Sequence, residues 1–310
     1  MNAVLEPATA SQTPPDLGKE SAYQRWRARK LARRARSVAD LIVDVADPAA
    51  LTAAERNALL RRCADWNMAV YRSPGGSQDK GLACAVGRQL GLHRLDGNWL
   101  ADEDGISSIA VSPASDDRGG YIPYTDRPLK WHTDGYYQPQ EQRIHAMLLH
   151  CVRPARGGGV NALLDHDLAY IALRDAAPRW AQALMAADAM TIPAREDATG
   201  VARPAQAGPV FSFDPQGGTL HMRYTARSRS IVWKADACTL KAVAFLERYL
   251  GEDNPDVLRV RLEAGMGIVA NNVLHDRSAF VDDPAQPRLI YRARYLDRVA
   301  SPQEMPWPNG

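Results

Sequence analysis

From about residue 105 onward the chain breaks into short extended runs, and this texture constrains the fold more than any other feature. ISSIAVS, HAMLLHCV, VNALLD, GGTLHMRY, RSIVW, GMGIVANNVLH and RLIYRARYL are alternating or apolar, and clusters of Gly, Pro and Asp separate them. Period-two alternation with turn residues between runs predicts strands of antiparallel sheets, with GMGIVANNVL as one buried strand. Two longer stretches, LAYIALRDAAPRWAQALMAA and DACTLKAVAFLERYLG, predict helices, the second closing at Gly251 as a C-cap. Many strands with helices between them and no βαβ rhythm predict a β-sandwich or barrel core with helical decoration, mainly β within the α+β class.

Upstream of this region the pattern is different. Residues 1–20, rich in Pro, Ser and Thr, predict a flexible tail, and residues 21–104 a helical region packed on the core. The segment SAYQRWRARKLARRAR carries seven Arg or Lys between Arg25 and Arg36. Without aromatic interleaving or a nucleic-acid motif, it is expected to be a solvated face, or an arm docked on acidic surface of this or a neighbouring subunit. Thr52-Ala-Ala-Glu55 is a capping box opening a helix with Leu59, Leu60, Cys63 and Trp66 on one stripe.

Composition excludes several function classes. A net charge of +2 over 310 residues gives no overall field for a polyanion. No apolar stretch reaches the ~20 residues that span a bilayer, and no signal segment opens the chain. Cys63, Cys84, Cys151 and Cys238 form no C-x-x-C pair, which fits reduced, small apolar side chains in a cytoplasmic protein.

Among the seven histidines, His132 stands two residues from Asp134 in Trp-His-Thr-Asp-Gly. In an extended segment residues i and i+2 share a face, so the two side chains can converge on one ion. His275, ending the run GMGIVANNVL, is the candidate third ligand. Two histidines and a carboxylate on one face leave three metal positions open, the facial triad of non-haem iron(II) oxygenases. Arg288 and Arg292 alternate with apolar residues in PRLIYRARYL. A guanidinium buried beside a metal is shaped to clamp a carboxylate through two hydrogen bonds. His93, His145, His150, His166 and His221 have no comparable partners and are expected to be structural.

The order Trp-His-Thr-Asp-Gly, Arg-Pro-Ala-x-x-Gly-Gly, His-x-Arg-x-x-Phe and Arg-x-x-x-Arg, from about Ile106 to Leu296, resembles the taurine dioxygenase family. That family includes enzymes similar to γ-butyrobetaine hydroxylase and clavaminate synthase. The resemblance implies a double-stranded β-helix (jelly-roll) catalytic domain over residues 105–300, with a helical insertion. It implies iron(II) on His132, Asp134 and His275, and 2-oxoglutarate as cosubstrate with its distal carboxylate on Arg288. With O2 these give succinate, CO2 and an oxidised, by default hydroxylated, small-molecule substrate.

The chain departs from the family in two places. The family's Gly-Gly-x-Thr, whose threonine helps hold 2-oxoglutarate, is Gly158-Gly159-Val160-Asn161 here, and the Asn161 amide can still donate. The family's frequent His-Gly-Arg is His275-Asp276-Arg277; Asp276 is expected to steer Arg277, to meet a substrate amine, or to be solvated. In sulfonate- and phenoxyacetate-oxidising relatives the position matching Arg292 holds a substrate anion. Tyr136 and Tyr137 are expected in the pocket wall. These residues imply a small polar substrate bearing a carboxylate or amine, with no nucleic-acid or membrane partner and homo-oligomerisation left open. Desaturation or cyclisation by the same chemistry is one alternative. A zinc hydrolase on the same three ligands is another, a metal-binding protein without activity a third, and nucleic-acid demethylation, for which the chain between His132 and His275 is too long, a fourth.

Overall fold

In a computed structural model, the structure describes residues 20–301 apart from 98–101, 114, 117, 119, 198–199, 215–217, 228, 230 and 252. The expected N-terminal tail thus falls almost wholly outside the described residues. Two sheets face each other. The larger has the strand order Ile42–Asp44, Met68–Arg72, Met266–Ala270, Ala146–Arg153, Leu289–Tyr295, Ser107–Ile109, and only its first pair is parallel. The smaller has the order Leu258–Arg261, Val160–Leu164, Leu274–Arg277, Leu129–His132, antiparallel throughout. The chain passes repeatedly from one sheet to the other, which is the double-stranded β-helix.

Burial explains which runs alternate and which are continuous. Along Ala146–Arg153, Met147, Leu149 and Cys151 point between the sheets, where they meet Leu163, Leu258, Val260, Ile268 and Ile290. Ala146, Leu148 and Val152 point the other way, beneath Leu59, Leu60, Val86 and Leu90. A strand covered on both faces needs apolar residues at every position. Each such fully buried Leu contributes about 2 kcal/mol of transfer free energy.

Several local expectations change in detail. The run GMGIVANNVLH is two strands, one in each sheet, separated by Asn271-Asn272, with Asn272 at φ 51°. Asparagine tolerates this left-handed conformation, and the chain crosses between sheets there. The first long helical stretch is likewise two helices, His166–Ala176 and Pro178–Leu184. Pro178 disfavours helical backbone at Ala177, which sits at φ −165°. The second helix, Ala237–Tyr249, is capped at its start by the Asp236 carboxylate but ends at Leu250 rather than in a left-handed Gly251.

The Thr52–Glu55 capping box is present and opens the helix Ala53–Trp66. Beside the expected helices, the N-terminal region supplies Ile42–Asp44 and Met68–Arg72 to the larger sheet. The basic arm forms the helix Glu20–Arg33 and docks on acidic residues of its own chain. Lys30 Nζ lies 2.6 Å from Asp165 and 2.8 Å from Asp167, Arg27 lies 2.6 Å from Asp175, and Arg34 lies 3.2 Å from Asp256. The four cysteines are free. Among the described residues no helix is long and apolar enough to cross a membrane.

Candidate metal centre

His132 ends one strand of the smaller sheet, and His275 lies directly opposite it on the neighbouring strand. Directly paired residues project to the same face, and here the ring centroids are 4.2 Å apart. Asp134, just past the strand end, brings a carboxylate oxygen 3.9 Å from His132 Nε2. One ligand atom from each of the three lies within 4.8 Å of the others, and all three residues are buried. Among the described residues this is the single cluster of its kind.

The tautomers follow from the hydrogen bonds. His132 Nδ1 sits 2.9 Å from the Lys130 carbonyl and His275 Nδ1 sits 3.0 Å from that of Val273. A carbonyl only accepts, so each Nδ1 carries the proton and each Nε2 presents its lone pair to the centre. Burial, reinforced by the nearby His275, lowers the His132 pKa to about 3, so its ring stays neutral. Burial alone would push the Asp134 carboxyl up. The guanidinium groups of Arg292 and Arg294 outweigh that and hold it well below its ordinary value. Two imidazole nitrogens and one carboxylate form the donor set suited to a non-haem divalent iron with open positions.

Asn272 frames Asp134 from behind. Its Oδ1 accepts the Asp134 N–H at 2.7 Å, and its Nδ2 donates to the carbonyls of Asp134 at 2.9 Å and Ile144 at 2.7 Å. Gly135 then takes φ 68° to turn the chain, and a Cβ there would meet Gln138 Oε1 at 2.3 Å. Sequence reasoning missed Asn272; a polar Asn-Asn pair inside a buried apolar run was the available signal.

Around the triad the two sheets contribute further polar side chains. Asn161 is two residues from Leu163, the cross-strand neighbour of His275, so its side chain lies on the same face of the smaller sheet. Arg292 and Arg294 share the inward face of the larger sheet with Ile290. Arg292 Nη1 lies 3.4 Å from Asp134 Oδ1, closer to the metal carboxylate than expected of a residue reserved for substrate. Arg288 and Arg277 flank the Phe280 ring at 5.0 and 4.8 Å from its centroid. Gly158 and Gly159, both at positive φ, carry the chain past this group. A Cβ on Gly158 would lie 2.3 Å from the Ala279 carbonyl.

Buried atoms in this region without a hydrogen-bond partner include Asp134 Oδ2, Asn161 Nδ2, Arg277 Nε, Arg288 Nη1 and Arg292 Nε. Buried polar groups left unmade are costly, so such a group of them fits a metal and an anionic cosubstrate between the sheets.

The remaining candidates separate clearly. The Tyr136 ring stands edge-on to His132, with centroids 6.5 Å apart. Tyr137 packs on Tyr136, but its hydroxyl accepts a hydrogen bond from Arg294 at 2.9 Å. Asp276 is half-buried, and its Oδ1 accepts the Ala162 N–H at 3.1 Å, which ties it to the sheet. Arg277 donates to the carbonyls of Pro123, Thr125 and Arg127 at 3.1, 2.7 and 2.6 Å, fixing the approach to the His132 strand.

A two-histidine, one-carboxylate centre between the sheets of a double-stranded β-helix defines the class of non-haem iron oxygenases. The model of the taurine catabolism dioxygenase TauD, TfdA family matches residues 28–294, and the chain belongs to this family. It is an iron(II)- and 2-oxoglutarate-dependent dioxygenase. A uridine-5′-phosphate dioxygenase of Streptomyces sp is 30% identical over 206 residues, covering 65% of this chain and 72% of that protein. One of Amycolatopsis sp is 33% identical over 178 residues, covering 54% of this chain and 60% of that protein. Asparagine oxygenase, solved with Fe(II), 3-hydroxyasparagine and succinate, superposes with a TM-score of 0.55 at 18% identity, covering 79% of this chain and 80% of that one.

Proposed function

We propose that His132, Asp134 and His275 hold iron(II), that Arg288 and Asn161 hold the distal carboxylate of 2-oxoglutarate, and that the enzyme oxygenates a phosphate-bearing small molecule, a nucleoside 5′-monophosphate in the first instance. The observation that carries the site assignment is the group of unpartnered buried atoms beside the triad. The substrate class rests on the 30–33% identity to uridine-5′-phosphate dioxygenases. It puts a phosphate on the small polar substrate for which the sequence suggested a carboxylate or an amine.

When bound, iron and 2-oxoglutarate supply oxidising chemistry from O2, with succinate and CO2 as coproducts. The chain's own residues bind and orient. The two Nδ1–H···O=C bonds hold the imidazoles in the ligating tautomer. Asn272 fixes the Asp134 backbone, and Arg292 and Arg294 keep its carboxylate ionised. Arg288 offers an unpartnered Nη1, and Asn161 an unpartnered amide, to the distal carboxylate. Phe280, lying between Arg277 and Arg288, shields that contact from water.

The test is succinate formation from 2-oxoglutarate and Fe(II) under air with uridine 5′-monophosphate, other nucleoside monophosphates, asparagine and arginine as candidate substrates. Stimulation by nucleoside monophosphates is expected. Stimulation by the amino acids alone would overturn the substrate class while leaving the metal assignment in place.

A further inference from the structure

The segment Tyr224–Ala226 extends the smaller sheet beyond the His132 strand. Thr225 bridges His132, Ala226 N–H donates to the Trp131 carbonyl at 2.8 Å, and Thr133 N–H donates to that of Tyr224 at 3.0 Å. This edge carries Arg227 to the rim of the centre. Its guanidinium lies over the Tyr136 ring, 5.9 Å from the centroid, and Tyr136 in turn stands edge-on to His132. Arg227 is exposed, and among the described residues no carboxylate forms an ion pair with it. Other basic side chains of this rim are engaged: Arg203 donates to the carbonyls of Tyr137, Pro193 and Pro204, and Arg195 donates to the Tyr121 hydroxyl at 2.6 Å.

We propose that Arg227, poised over Tyr136, is the subsite that binds the phosphate of the substrate. A guanidinium held near an aromatic face by cation–π attraction is partly pre-oriented, and its fork of N–H donors matches two phosphate oxygens at once. The sheet edge that bears it is hydrogen-bonded to the metal-ligand strand, so an anion held there is placed in register with His132. This inference rests on the phosphate-bearing substrate proposed above and assigns the residue that selects it.

Two measurements separate the inference from that reading. Inorganic phosphate should raise the melting temperature of the wild-type protein, by mass action on the folded state. The shift should vanish in Arg227→Ala and be intermediate in Arg227→Lys, which keeps the charge but loses the fork. It should persist in Arg229→Ala, which removes an exposed cation two residues away. With uridine 5′-monophosphate as substrate, Arg227→Ala should raise KM by roughly 30-fold, the loss of one charge-assisted pair. An equal phosphate shift in wild type and Arg227→Ala would overturn the inference, as would an equal loss in Arg229→Ala. Turnover of the nucleotide with unchanged KM in Arg227→Ala would also overturn it while leaving the proposed function standing. Phosphate protection that depends on Arg227 in a protein that does not oxidise nucleotides would support the subsite and refute the nucleotide.

Discussion

Replacing Asn272 by Ala tests whether the metal carboxylate is positioned by the backbone bracket behind it. Asn272 is 1% exposed, and three hydrogen bonds of 2.7–2.9 Å connect it to Asp134 and Ile144. Each such bond contributes roughly 1 kcal/mol net, and its loss strands a buried N–H and two carbonyls, so the variant should lose about 3 kcal/mol of stability. In a chain of this size that lowers the melting temperature by roughly 5 °C or more. Freed from its bracket, Asp134 should hold iron(II) roughly 10- to 100-fold more weakly, as expected when an outer partner of a ligand is removed. Asn271 is the internal control. It bonds Cys63, Asn67 and Val299, and none of its bonds reaches Asp134. Asn271→Ala should therefore cost comparable stability and leave iron affinity nearly intact. Melting curves of the metal-free proteins and anaerobic competition against a chromogenic chelator measure the two quantities. Wild-type iron affinity in Asn272→Ala, or an equal loss in Asn271→Ala, would refute the argument.

Three further outcomes are expected. Arg288→Ala should raise the KM for 2-oxoglutarate on the order of 100-fold, the loss of a bidentate charge-assisted pair; an unchanged KM in steady-state kinetics would contradict its role. Asn161→Ala should weaken 2-oxoglutarate by roughly 10- to 100-fold, Asn161→Thr less, and Asn161→Asp most, because it sets like charges together; equal binding of all three, by titration calorimetry, would return Asn161 to a structural role. Stability of the metal-free protein should fall with pH. Burial lowers the pKa of His145, His150, His166 and His221, and that of His132 to about 3. The unfolded chain therefore takes up protons first, and stability complete above about pH 6.5 declines below it, by up to ~1.4 kcal/mol per unit per histidine. A melting temperature flat from pH 7 to 5 would contradict this.

The triad was legible because its determinants are local. The i, i+2 spacing of His132 and Asp134 in extended backbone states a shared face outright, and His275 closes an apolar run that has to be buried. The inward face of the last strand was equally legible, since Arg288 and Arg292 interrupt an apolar alternation that solvent exposure would not require. What escaped depends on which strands become neighbours. Nothing local says that Asn272 reaches across to Asp134, or that the segment holding Arg227 pairs with the His132 strand. The break of one apolar run at Asn271-Asn272 was missed because a crossover between two buried sheets stays apolar on both sides. Arg292 shows the same limit from the other direction: its face was evident, but its 3.4 Å approach to Asp134 depends on how the sheets meet.

The central claim, that these three side chains hold iron(II) with 2-oxoglutarate bound beside them, is tested most directly by anaerobic titration. Fe(II) is added to the wild-type protein, then 2-oxoglutarate, and the visible absorption is followed. The account predicts a weak metal-to-ligand charge-transfer band that saturates at about one iron per chain, is absent in His275→Ala, and needs higher 2-oxoglutarate to develop in Arg288→Ala. No band in the wild-type protein, or an undiminished band in His275→Ala, would contradict it.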